Sequence, residues 1–102
     1  MRLTTEQAQA IRDSVTEVFG AAAQVWLFGS RVDDRRRGGD IDLLVRPPAD
    51  RAVDPETAWR DKLRLLGQLE RRLGERKIDI VLEAPDDPRP IVRIAHQTGI
   101  PL

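Results

Sequence analysis

The chain has 102 residues, 40% of them hydrophobic and 33% charged, and its 17 basic residues cancel its 17 acidic ones. A single domain of this size buries roughly two-thirds of its unfolded surface, enough for one core, and zero net charge gives no general attraction to nucleic acid. The absence of cysteine excludes disulfides and thiolate-bound metal, and no apolar run nears the ~20 residues a membrane span needs.

The opening MRLTTEQAQA carries no apolar signal core, so a cytoplasmic protein forming one domain over residues 1–102 is expected. Residues 4–19 read as a helix: Thr4 with Gln7 forms a capping-box pattern, and Ala8, Ile11, Val15, Val18 and Phe19 recur at helical spacing. Val25 to Phe28 make a short strand that stops at Gly29-Ser30. Residues 31–39 are expected to be a helical turn and loop closed by Gly38-Gly39. From Asp40 to Val45 the chain alternates again, with Ile41, Leu43 and Val45 on one face and Asp40, Asp42 and Leu44 on the other.

A proline-marked loop follows, and Asp54-Pro55 opens the second long helix with an N-cap aspartate and a proline in the first turn. Trp59, Leu63, Leu66, Leu69 and Leu73 form its apolar stripe, assigned here to the core, and Gly74 ends it. KIDIVLE is a third strand, with Ile78, Ile80 and Leu82 opposite Lys77, Asp79 and Val81. Ile91 to Gln97 form a last helix carrying the one histidine, His96, read as a surface or capping residue; TGIPL is a tail. The fold class is α/β (α+β): a small mixed sheet of about three or four strands flanked by helices.

If the aliphatic faces of the last two strands share one core, Asp40, Asp42 and Asp79 share the opposite face. Three carboxylates so close repel one another unless cations neutralise them. Hard divalent ions with oxygen ligands answer that need, magnesium above all where phosphate also binds. Two such ions roughly 3.5–4 Å apart form the clamp used for in-line displacement at phosphorus. The Gly29-Ser30 turn supplies the complement: glycine lets a backbone approach closely, and amides there, with the serine hydroxyl, can hold phosphate oxygens. Arg31, or one of Arg35 to Arg37, is the candidate cation for a triphosphate.

The stretch LFGSRVDDRRRGGDIDLLV with the later KIDIVL resembles the minimal nucleotidyltransferase domain of the DNA polymerase β-like superfamily, in its antitoxin type. The resemblance spans roughly Val25 to Leu82 and rests on G-S, a spacer, D-x-D and a third acid on a later strand. It implies that Gly29, Ser30 and Arg31 bind the triphosphate of ATP. It implies that Asp40, Asp42 and Asp79 bind two Mg²⁺ and form the catalytic set. The resemblance further implies a HEPN-type helical partner, whose tyrosine hydroxyl receives AMP and whose toxicity the chain would restrain. One departure stands out. Many minimal members read G-S-R-A-R-G with a spacer one residue longer, whereas Val32, Asp33 and Asp34 follow Arg31 here, so the second basic residue is missing or shifted to Arg35. Two other readings stay open: a non-catalytic subunit that neutralises its partner by occlusion, and transfer to a small molecule. Neither nucleic acid as main ligand nor a membrane is expected.

Overall fold

The computed structural model describes residues 3–29, 41–50, 54–74 and 76–102. In chain order these residues form α1 (Thr5–Phe19), β1 (Gln24–Phe28), β2 (Ile41–Arg46), α2 (Pro55–Leu73), β3 (Ile78–Leu82), α3 (Pro90–Thr98) and β4 (Ile100–Pro101). The expected turn and loop over 31–39 lies outside the described residues.

The helix signals act as their chemistry requires. The Gln7 amide donates to Thr4 Oγ1 at 3.0 Å while the Thr4 amide donates to Gln7 Oε1 at 2.9 Å, closing the capping box. Asp54 Oδ2 accepts from the Thr57 hydroxyl at 2.5 Å and its Oδ1 from the Thr57 amide at 3.0 Å, and these bonds hold the Asp54 carboxyl below its ordinary range. Gly74 ends α2 at φ 83°, a conformation that glycine alone adopts without strain.

The strands assemble in the order β3-β2-β1-β4. β1 pairs antiparallel with both β2 and β4, and β2 pairs parallel with β3, so the sheet is mixed and α2 is the crossover between its parallel strands. One face meets α1 and α2: Val25, Leu27, Ile41, Leu43, Val45, Ile78 and Ile80 pack with Ile11, Val15, Val18, Phe19, Leu65 and Leu69. The other face meets α3, where Phe28 and Leu44 pack against Val92 and Ala95, with Trp26 and Val81 at the margin. Covered on both sides, β2 buries Leu43, Leu44 and Val45 in succession, which is why its apolar residues run together beyond the acids. Each fully buried leucine contributes about 1.5–3 kcal/mol.

Two expectations need correction. Trp59 and Leu63 do not enter the core; they are 61% and 49% exposed. The buried line of α2 is Asp61, Leu65 and Leu69, with Leu66 and Leu73 partly covered. Leu65 sits about 120° around the helix from Trp59, so the sheet covers one flank of a broad apolar band and leaves the other open. Asp61 disguised that flank in the sequence; it is tolerated there beside Arg64, 3.6 Å away. The tail is the second correction. Ile100 and Pro101 pair with Leu27 and Trp26, and the Leu102 amide donates to Val25 O at 3.0 Å, making a fourth strand. Only two residues long and containing proline, β4 carries no alternation to read.

Candidate functional site

β1 ends at Phe28, and Gly29 follows with φ 77°, which breaks the extended run. The antiparallel register sets Phe28 beside Asp42, and the parallel register sets Asp42 beside Asp79. The three side chains thus form one row across β1, β2 and β3, with neighbouring strands about 4.8 Å apart. Strand alternation puts the row on the face that carries α3, since Ile41, Leu43, Ile78 and Ile80 all turn to the opposite core. The Ile41 amide donates to Lys77 O at 2.9 Å, pinning the register at this end. Asp42 is half-buried and Asp79 is exposed. Asp40, Ser30 and Arg31 lie outside the described residues, so of the six predicted site residues the described fold brings together Gly29, Asp42 and Asp79.

Sequence reasoning assigned Gly29 to phosphate approach and missed a second relation. A Cβ on Gly29 would stand 2.2 Å from Asp42 Oδ2 and 3.0 Å from Asp42 Cγ. The carboxylate of Asp42 therefore occupies the space that a side chain at 29 would fill. The G-S to D-x-D spacing hinted at proximity, but only the antiparallel register makes the two residues touch.

At the far end of the same face a polar cluster secures α3. His96 Nε2 lies 2.6 Å from Glu83 Oε1 and 3.2 Å from Arg46 Nη2, and Arg46 Nη2 lies 3.2 Å from Glu83 Oε2. Trp26 meets the His96 ring edge-on at 4.6 Å, with the Arg46 guanidinium 5.2 Å over the indole. His96 is thus an anchor of α3 rather than a surface or capping residue. Arg46 is four residues along β2 from Asp42, about 13 Å, so this cluster stands apart from the acid row. Beside it, hydrogen bonds from Arg89 and the Ala84 amide hold the Asp87 carboxyl far below its ordinary range.

A mixed four-stranded sheet with α1 and α2 on one face, α3 on the other, and paired carboxylates beside a glycine turn is a nucleotidyltransferase fold. Residues 8–100 match the family model of the nucleotidyltransferase domain, and the chain belongs to that family, a family of transferases. No curated protein matches the chain.

Such domains work with a nucleoside triphosphate and a divalent metal. The described residues contain no group of three or more His, Asp or Glu side chains able to hold a metal ion. Asp42 and Asp79 nevertheless fit one. Their donors are carboxylate oxygens alone, the set a hard divalent cation prefers, and the bare Cα of Gly29 leaves room for the Asp42 carboxylate. Among the described residues no helix is long and apolar enough to cross a membrane.

Proposed function

We propose that the chain transfers AMP from ATP to a hydroxyl of a partner protein. The observation that carries this reading is the pairing of Asp42 with Asp79 in one row beside Gly29. In this scheme Gly29, Ser30 and Arg31 hold the triphosphate, and Asp40, Asp42 and Asp79 hold two Mg²⁺. When bound, those ions would polarise the α-phosphate and neutralise charge on the departing pyrophosphate. The acceptor oxygen attacks the α-phosphorus in line; the new O–P bond forms as the bond to the bridging oxygen breaks, and pyrophosphate leaves. Asp79, exposed at the end of the row, takes the hydroxyl proton. Asp42, half-buried against Gly29, acts as a fixed ligand.

The resemblance to minimal nucleotidyltransferases supports the finer reading: a HEPN-type helical partner, a tyrosine as acceptor, and an antitoxin role for the chain. The test is intact-mass spectrometry of the helical protein co-purified with the chain, after incubation with ATP and Mg²⁺. Each transfer adds about 329 Da, AMP less water, if the two-metal reaction runs. Asp42→Asn should abolish the gain. An unchanged mass, together with equal pyrophosphate release by wild type and Asp42→Asn, would sink the proposal.

A further inference from the structure

α3 does not run along the strands beneath it; it crosses them. It enters beside β3, where Arg89, the residue before the helix, donates from Nη2 to Leu82 O at 2.6 Å. It leaves beside β1, where a Cβ on Gly99 would lie 3.1 Å from Leu27 O and Ile100 pairs with Leu27. A helix laid across strands turns one flank toward each end of the sheet, and His96 shows which is which. Its ring reaches Arg46 and Glu83, which lie four residues along their strands from Asp42 and Asp79, at the far end of the face. Ile91 comes five residues before His96 and so lies about 140° around the helix from it. Val92 and Ala95 point down between those two directions, buried with Phe28 and Leu44. The flank carrying Ile91 therefore overlooks the acid row, with Ile94 above it. These are the large apolar residues that α3 leaves uncovered, at 39% and 48% exposure. Because Ile91 sits in the first turn, it stands at the β3 end of the row, by Asp79, and not at the Gly29 end. Val81, half-buried at the margin of the α3 cluster, shares its strand face with Asp79 and lies about 7 Å behind it.

We infer that Ile91 and Val81 form the wall on which the acceptor side chain rests, and that they select a hydroxyl carried at the tip of a flat apolar group. The inference rests on the transfer reading above. Within that reading the order of the row assigns the wall to the acceptor and not to the nucleotide. The triphosphate is held at Gly29 on the β1 side, so the group that gives its proton to Asp79 comes in from the β3 side. There it meets two aliphatic side chains and, beyond them, the Asp79 carboxylate. An aromatic ring laid on Ile91 and Val81 spans that distance with its hydroxyl at Asp79, and it displaces water from apolar surface. A serine-type hydroxyl has no apolar body to cover the wall. A sugar presents hydroxyls on every edge, and those facing Ile91 and Val81 would lose water without gaining a partner. The wall takes no part in the bond changes; it sets which oxygen arrives at the α-phosphorus.

The test is a titration of N-acetyltyrosinamide into the chain with Mg²⁺ and a non-hydrolysable ATP analogue, followed by isoleucine and valine methyl NMR. The expected result is a saturable ring-current shift of the Ile91 and Val81 methyls, with Ile11 in the opposite core unmoved. With ATP itself, Ile91→Ala should raise KM for the tyrosine amide about tenfold, the scale of lost aliphatic contact in an apolar site. It should leave KM for ATP and the circular dichroism spectrum unchanged. Arg93→Ala, on the opposite flank of α3, should change neither constant. A titration that leaves Ile91 still, or an Ile91→Ala variant with unchanged KM for the amide, would overturn the wall. A rise in KM for ATP alone would give the wall to the nucleotide and overturn the acceptor assignment. N-acetylserinamide used as well as the tyrosine amide would overturn the selectivity. A shifted Ile91 with no AMP transferred refutes the transfer reading and leaves the seat of the ring standing.

Discussion

Replacing Gly29 with alanine separates the two duties of that residue. The added carbon would lie 2.2 Å from Asp42 Oδ2, far inside ordinary contact distance, so the carboxylate must swing away. The backbone has no such escape: at φ 77° an L-residue costs about 1–2 kcal/mol. For a domain of this size that lowers Tm by roughly 4–16 °C. If Asp42 is the metal ligand proposed above, displacing its carboxylate by about 1 Å costs on the order of a hundredfold in rate. Gly74→Ala is the control: at φ 83° and ψ −179° its strain is at least comparable, and nothing lies within 4 Å of the added carbon. Thermal melts and pyrophosphate release measured well below both melting temperatures should therefore diverge. Both variants lose Tm, and Gly29→Ala alone loses its rate. Wild-type turnover in Gly29→Ala, or an equal loss in Gly74→Ala, would refute the claim that the bare Cα seats Asp42.

Three other outcomes are expected. Asp79→Asn removes transfer while changing stability by no more than about 0.5 kcal/mol, because the side chain is exposed; a paired pyrophosphate assay and melt checks both. In urea titrations Leu65→Ala costs about 2–5 kcal/mol, whereas Trp59→Ala costs under about 0.5 kcal/mol; the reverse order would restore the sequence-derived stripe as core. Asp87 provides a pH test. Its folded pKa lies well below the ordinary aspartate value of about 3.9, so its stabilisation is present above that value and fades as pH falls toward the lowered one. The Tm gap between wild type and Asp87→Asn should be widest near neutrality and shrink in acid; a gap that grows in acid contradicts the assignment.

Much of the fold was legible because local chemistry and tertiary packing agree. Thr4 with Gln7, and Asp54 with Thr57, fix helix starts by hydrogen bonds within four residues, and those signals need no distant partner to be read. Alternation in β2 and β3 likewise showed which side Asp42 and Asp79 take. What failed depended on distant partners. The α2 stripe was broad enough for two faces, and the choice was made by the sheet beneath it rather than by the helix. β4 exists because Gly99 carries no Cβ to strike Ala95 O, which would lie 2.3 Å away, so the chain can turn directly from α3 onto β1. The contact of Gly29 with Asp42 also required the β1–β2 register.

The directions of the helices have a consequence of their own. Because α2 returns antiparallel between β2 and β3, it ends at Leu73 near the start of β3, the end that bears Asp79. α3 likewise ends at Thr98, two residues before Ile100 pairs with Leu27, close to Phe28 and Asp42. Two helices thus turn their carbonyl ends, the negative poles of their dipoles, toward the end of the sheet that already carries the acid row. In its last turn α3 sets only His96 against that polarity, whereas α2 carries Arg71 and Arg72 in its own. The backbone biases this pole of the molecule toward cations, and the two arginines that end α2 offset part of that bias.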